Sequence, residues 1–254
     1  MEIDERIELA ASLILQARHA IALTGAGSST PSGIPDFRSS GSGLWEKYDP
    51  FEVASITAFR RRPEAFYRWV QPMVNQVRDA EPNAGHIALA QMEACGVIQA
   101  VLTQNIDNLH QRAGSRNVLE LHGHLREVTC LNCFRVAPAE EAMEAAMSGN
   151  VPHCAHCGGV VKPNVILFGE QLPSQVFVAA MEHTRRADLV LVVGSSLSVM
   201  PVAKIPAVVQ SQGGQVIIVN HQPTYADDFA AIVFREDLAD ALPLLAQAIQ
   251  ENGK

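Results

Sequence analysis

The sequence predicts an α/β fold built on a parallel sheet, from three features. Apolar runs of about four to eight residues alternate with amphipathic helical patterns along the chain. Within those runs consecutive positions are apolar, as in strands covered on both faces. Small and polar residues cluster after the runs, at Gly25–Ser29, Thr103–Asp107, Gly194–Ser196 and Asn220. Ligands of an open parallel sheet bind beyond the carboxyl ends of its strands, so these clusters predict one shared cleft.

The elements follow in order. Ile3, Ile7, Ala10, Ile14 and Ala17 keep helical spacing, so residues 3–18 read as an amphipathic helix. The run at 19–27 reads as a buried strand entering a tight glycine loop. Residues 28–62 are rich in Ser, Gly, Pro and Arg with little periodicity, which predicts a long functional loop. Residues 63–74 and 83–96 read as helices, the second ended by Gly96. Strands follow at 97–105 and 118–123. Residues 126–164 carry four cysteines and interrupt the alternation. Residues 160–170 are extended, with Pro163 keeping them off a central strand. Two apolar strands at 188–196 and 214–220, an edge strand at 230–236 and a closing helix at 238–250 complete the chain.

Composition excludes several classes. The 254 residues are 48% hydrophobic and 18% charged, too apolar for a disordered chain. Nineteen Lys and Arg against 27 Asp and Glu give a net charge of −8, which predicts no direct nucleic-acid binding. Runs such as Val176–Met181 are far short of the roughly 18 residues of a membrane helix, and the acidic start lacks a signal peptide's basic and apolar regions. A soluble, cytoplasmic protein is expected.

Cys130, Cys133, Cys154 and Cys157 form C-x2-C-x20-C-x2-C, the spacing of a tetrahedral zinc site with four cysteine ligands. Four protein ligands leave no open position for water, so one structural zinc per chain is expected. His153 and His156 flank the second pair and are alternative ligands. Cys95, at the end of an apolar helix pattern, reads as a buried small hydrophobe. The run Arg60–Arg62 reads as a solvated face.

GAGSS after the first strand suits a phosphate loop or a plain tight turn; with Thr30 in third place the dinucleotide fingerprint is incomplete. Asp36, Phe37 and Arg38 lie in a loop that packing does not require, and suit clamping and covering a ligand. Gln104, Asn105 and Asp107 read either as polar ligand-holding groups or as a helix start with a cap. His122 precedes Gly123 at a strand end; a lone histidine is commonly structural, yet it suits general base work. Gly194–Pro201 is a second small-residue turn, and Asn220 could bond a ribose hydroxyl.

Taken together and in this order, GAGSSTPSGIPDFRS, TQNIDNLHQRAG, LELHG, the paired CxxC knuckles, KPNVILFGE and GSSLSVMP resemble the sirtuins, NAD-dependent protein-lysine deacylases, and their compact bacterial and archaeal members in particular. The motifs span Gly25 to Pro201. The resemblance implies a Rossmann-like large domain (1–36, 79–125, 165–254), a cofactor loop with a helical module (37–78) and a zinc ribbon (126–164), the last two forming the small domain. It implies that NAD is held by Gly25, Ala26, Gly27, Thr30, Asp36, Phe37, Arg38, Gln104, Asn105, Asp107, Gly194, Ser195, Ser196 and Asn220. It makes His122 the general base, with Asn105 and Asp107 catalytic beside it. Ile166, Phe168, Gly169 and Val199 would bind the acetyl-lysine protein or peptide, the segment 166–169 by adding a strand to its backbone. In the implied reaction the acyl oxygen displaces nicotinamide from the ribose. His122 then deprotonates a ribose hydroxyl, which attacks the resulting imidate, and water releases free lysine and 2′-O-acetyl-ADP-ribose. Two other readings compete: an ADP-ribosyltransferase or NAD glycohydrolase using the same site, and a non-catalytic NAD or ADP-ribose-binding module. Family members that prefer acidic acyl groups carry Y-x-x-R in the small-domain helix. Here Tyr67 is followed by Val70 in the Arg position, so neutral acyl groups are expected, acetyl first.

Overall fold

The computed structural model describes residues 2–39, 41 and 43–253. In chain order, α1 (Ile3–Gln16) leads into β1 (Ala20–Thr24). Three helices follow, α2 (Pro50–Val53), α3 (Ile56–Arg61) and α4 (Pro63–Asp79), and then α5 (Ala84–Ala94), β2 (Ile98–Thr103), α6 (Leu109–Arg112) and β3 (Val118–Glu120). The middle of the chain holds β4 (Gly123–Cys130), β5 (Val136–Pro138), α7 (Glu140–Met147) and β6 (Val161–Val165). The remainder is α8 (Ser174–Arg186), β7 (Leu189–Val193), α9 (Ile205–Ser211), β8 (Gln215–Val219), β9 (Ile232–Phe234) and α10 (Leu238–Asn252).

Six strands form one parallel sheet in the order β3-β2-β1-β7-β8-β9. Every residue of β1 and β7 is buried, which is why these strands are apolar without alternation. Alternate residues still serve different faces. Ala22, Leu191 and Ile217 pack with α1, α5 and α10, while Ile21, Leu23, Val190 and Val192 pack with α8 and α9. The strand order reverses between β1 and β7, so the loops leaving both strands lie side by side at a topological switch point.

The smaller sheet is antiparallel, β5-β4-β6. Pro163 sits in β6, an edge strand, in keeping with its missing donor. Phe59, Phe66 and Tyr67 of α3 and α4 share a core cluster with Ala146, Val165 and Leu167, so the helical module packs against the cysteine-bearing insertion.

Three expectations are corrected. Residues 28–62 are not a structureless loop: 3-10 turns cover Ala26–Ser32 and Leu44–Glu46, and α2 and α3 follow. Asp49 and Ser55 cap α2 and α3 through the Phe51 and Ala58 N–H groups, but such short helices display no period. The strand expected over 118–123 ends at Glu120, and a new strand of the other sheet begins at Gly123. Cys95 is exposed, because it caps the C-terminus of α5 rather than facing the core. Helices α7, α8 and α9 are additional to the elements that periodicity predicts. No helix among the described residues is long and apolar enough to cross a membrane.

Candidate active site

The switch point is closed by glycines. Gly25 N–H donates to the Val193 carbonyl at 3.1 Å, and Gly27 N–H to the Gly194 carbonyl at 2.9 Å. A Cβ on Gly27 would come within 2.8 Å of the Gly194 oxygen; one on Gly194 (φ +57°) would collide with the Ser28 nitrogen. These glycines let the two loops touch, a closer constraint than the approach of a phosphate that their spacing suggested. Among the described residues the N–H groups of Ala26, Ser195 and Ser196 make no backbone or side-chain hydrogen bond, leaving donors at the loop crossing. Gly27, Thr30, Asp36, Gly194 and Asn220 line one cleft there, with Gln222 and His221.

A polar chain runs inward from these loops. Asn105 Nδ2 donates to Ser28 Oγ and Ser29 Oγ, both at 3.0 Å. Ser29 Oγ donates to Asp107 Oδ2 at 2.7 Å, and Asp107 Oδ1 accepts the Leu109 N–H. Asp107 thus serves as both a helix-start acceptor and a member of the cluster. Gln104 Nε2 donates to Ser195 Oγ at 2.9 Å, tying the β2 loop to the β7 loop. Asn105 and Asp107 are buried, so only groups so partnered are tolerated there.

His122 Nδ1 lies 3.1 Å from the Gln104 carbonyl. A carbonyl only accepts, so Nδ1 carries the proton and Nε2 keeps its lone pair. Burial holds His122 below the ordinary histidine range; the Arg38 guanidinium pushes the same way and the bond to Gln104 opposes both. The ring is therefore neutral near pH 7. Gly123 next to it has φ +77°, and a Cβ there would overlap the Asn164 oxygen. His122 C=O accepts the Ile166 N–H at 2.8 Å, joining the histidine to the segment 166–169.

In that segment Phe168 N–H and C=O are taken by Ala54 and Ile56 in a parallel bridge. Gly169 N–H and C=O make no backbone bond among the described residues, so the free edge lies there. The turn is held from beneath by buried Lys162, whose Nζ donates to the Pro163 and Val165 carbonyls and pairs with Glu170 at 3.0 Å. Glu170 in turn accepts the Leu167 N–H.

Other expected residues have mixed surroundings. Asp36 accepts the Arg38 and Ser39 N–H groups, shaping its own loop as well as lining the cleft. Phe37 stacks on Trp45 at 5.0 Å, and Trp45 continues to Trp69 and Phe168. Asn220 Nδ2 donates one of its two hydrogens to the Gln222 carbonyl, leaving its oxygen and the second N–H for a ligand. Val199 is half-buried and Ser196 is exposed.

Sequence reasoning missed several groups. Trp45 and Trp69 complete the aromatic wall. Asn83 Nδ2 holds the Ser28 carbonyl at 2.9 Å while its oxygen caps α5. His86 and His110 stack edge to face at 4.8 Å, and burial lowers them to about 4 and about 3. His110 Nε2 bonds Thr24 Oγ1, which bonds Thr103 Oγ1, which accepts the Asn105 N–H. A histidine followed by glycine was a visible signal; a histidine one helical turn into α5 was not.

The four cysteine sulfurs lie within 4.8 Å of one another, with Cys130–Cys157 at 3.5 Å and Cys133–Cys154 at 3.8 Å. Thiolates about 2.3 Å from a tetrahedral zinc stand about 3.8 Å apart, so the four are positioned to hold one zinc ion. His153 Nδ1 instead meets the Gly158 carbonyl.

The Sir2 family profile matches residues 25–201. The chain belongs to the Sir2 family. Among its Sir2 relatives, a protein of Archaeoglobus fulgidus named NAD-dependent protein deacylase 2 is 44% identical over 248 residues, covering 97% of each chain. The NAD-dependent protein deacetylase of Sulfolobus acidocaldarius is 45% identical over 251 residues, 98% of each. A solved Sir2 enzyme superposes with a TM-score of 0.91 at 44% identity, covering 98% of this chain and 99% of that one. A Sir2–p53 peptide–NAD+ complex superposes at 0.87 with 39% identity, covering 100% and 99%.

Proposed function

We propose that this sirtuin is an NAD-dependent protein-lysine deacetylase, and that acetyl-lysine proteins or peptides are its substrates. Full-length likeness to the deacetylases above supports the activity. The observation that carries the mechanism is the tautomer of His122, its Nδ1 proton fixed on Gln104 and its Nε2 lone pair free. NAD supplies an electrophilic ribose carbon and nicotinamide as leaving group. The free N–H groups of Ala26, Ser195 and Ser196 suit its pyrophosphate, with Gly25, Gly27 and Gly194 bringing them together. Thr30, Asp36 and Asn220 line the same cleft and suit the ribose and adenosine side.

Asn105, Ser29 and Asp107 form a hydrogen-bonded cluster whose carboxylate and amide dipoles stabilise positive charge developing on a sugar ring. His122 Nε2 accepts the proton of a ribose hydroxyl, a step suited to a base already neutral at pH 7. Arg38, Phe37 and the tryptophans behind Phe37 shield the site from water. Gly169 offers its backbone to the substrate, and Ile166, Phe168 and Val199 are the further residues we assign to it. We assign the segments 1–36, 79–125 and 165–254, which carry the parallel sheet, to the NAD-binding domain, and 37–78 with 126–164 to the small domain, with β4 and β6 crossing the boundary at their ends. The acidic chain and its metal-poised thiols support a cytoplasmic setting without nucleic-acid binding.

Incubation with NAD and an acetyl-lysine peptide, followed by mass identification, tests the reading. Free lysine peptide with O-acetyl-ADP-ribose is expected. Mass added to protein, or ADP-ribose without deacetylation, points to the transferase or glycohydrolase; absence of turnover points to a binding module.

A further inference from the structure

Beside Gly169, outside the NAD cleft, lies a second hollow of about 600 Å³. Its walls come from α2 and α3 on one side and from Phe168 and Gly169 on the other. Phe51 is 66% exposed there, with its ring 5.2 Å from that of Phe168. Arg61 and Arg62 also line the hollow and are exposed. Among the described residues neither guanidinium pairs with a carboxylate. Glu52 is the single acid in the lining, so cations outnumber anions two to one.

Arg60 and Arg61 occupy the last turn of α3, where positive charge offsets the negative helix end. That accounts for basic residues on α3 but not for two of the run facing an apolar-floored hollow at the substrate rim. Arg60, the third of the run, does not line it. Gly169 borders both the free edge and the hollow, and a peptide advances about 3.3 Å per residue, so a residue flanking an acetyl-lysine seated on that edge is the one within reach of the hollow.

We propose that this hollow is a subsite for an acidic side chain, Asp or Glu, close to the acetyl-lysine in the substrate, and that Arg61 and Arg62 determine the preference. The proposal rests on the deacetylase reading and names its substrate class. The carboxylate pairs with the guanidinium groups while its methylenes cover Phe51 and Phe168. At so exposed a site the pair sets selectivity among peptides rather than whether a peptide binds at all.

The test is a set of acetyl-lysine peptides with a single Ala, Asp or Lys moved through three positions on either side. Both kcat/KM and the Kd from fluorescence anisotropy are measured. Asp is expected to exceed Ala by about two- to fivefold at one or two positions, through KM rather than kcat, and Lys to fall below Ala. The advantage should vanish in about 0.5 M salt and in R61Q/R62Q, while R60Q keeps it. R61K/R62K should keep part of it, which separates lost charge from lost fold. Equal Asp and Ala values at every position would overturn the proposal, as would a preference that survives R61Q/R62Q. If no acetyl-lysine peptide is turned over, the deacetylase reading fails; the Kd ratios still decide the acidic preference.

Discussion

Around the six-stranded sheet, Ile21, Leu23, Val190, Val192, Ala22, Leu191 and Ile217 are all shielded from water. Around the three-stranded sheet burial is uneven: β6 is buried at four of its five positions, β4 at three of eight, and β5 is exposed at all three. One half of the molecule is held by apolar burial on two faces. The other half is too thin for that and relies on cross-links among side chains: four thiols, the Lys162–Glu170 pair and an aromatic cluster around Phe59, Phe66 and Tyr67. The lesson is that the two halves should fail separately, and for different reasons.

Metal removal gives the largest contrast. Structural zinc contributes on the order of 10 kcal/mol in small zinc peptides. Chelation, or Cys130→Ser with Cys133→Ser, should release one zinc per chain and unfold residues 123–165 while the parallel sheet persists. Hydrogen exchange read by segment checks this; uniform loss of protection in both halves would break the comparison.

His122→Ala should lower deacetylation by about 10²–10⁴ with little change in NAD binding or in thermal stability. Nicotinamide exchange should survive better than product formation, since the base acts after nicotinamide leaves. In the parent enzyme the acid limb of kcat/KM should fall below pH 6.5, because burial lowers the histidine and only its neutral form accepts a proton. A limb above pH 6.5 would assign the step to another group.

Lys162→Met removes the cation beneath the 166–170 turn. Glu170 keeps part of its exposure, so the cost is about 2 kcal/mol rather than that of a fully buried pair. The expected signature is a raised KM for peptide with NAD affinity kept, and partial recovery in Lys162→Met with Glu170→Gln. Equal effects on both substrates would place the pair in general stability instead.

The smallest contrast concerns acyl choice. Val70 is partly buried beside Tyr67, and the Tyr67 hydroxyl donates to the Val161 carbonyl at 2.7 Å. A succinyl carboxylate would find no cation from Val70, so acetyl should exceed succinyl by about tenfold in kcat/KM. Val70→Arg should narrow the gap only in part. The Tyr67 hydroxyl hydrogen is already committed to Val161, so the variant gains a cation alone. Equal use of acetyl and succinyl peptides by the parent enzyme would overturn the assignment.

The two halves were also unequally legible. Strands such as Leu189–Val193 announce themselves, because burial on both faces demands an uninterrupted apolar run. The cysteine spacing was equally plain, since metal geometry restricts it. Helices α2 and α3 were hidden: four and six residues are too few to show a period, and only the caps Asp49 and Ser55 betray them. In the site, Asn105, Asp107 and His122 stood out as polar residues next to strand ends. Asn83, His86, Trp45 and Trp69 come from distant segments and reach the site only through tertiary packing, which no local pattern encodes.

The pairing of Thr24 with Val193 also bears on how the chain is made. At about 5–20 residues per second, β1 emerges from the ribosome many seconds before β7. The whole cysteine-bearing insertion is synthesised in between. Until Val193 appears, one edge of a strand that ends up fully buried lies open, and the nascent chain carries an adhesive surface. The cleft at the β1–β7 crossing is then completed late in synthesis, after the knuckles have had the chance to capture their metal.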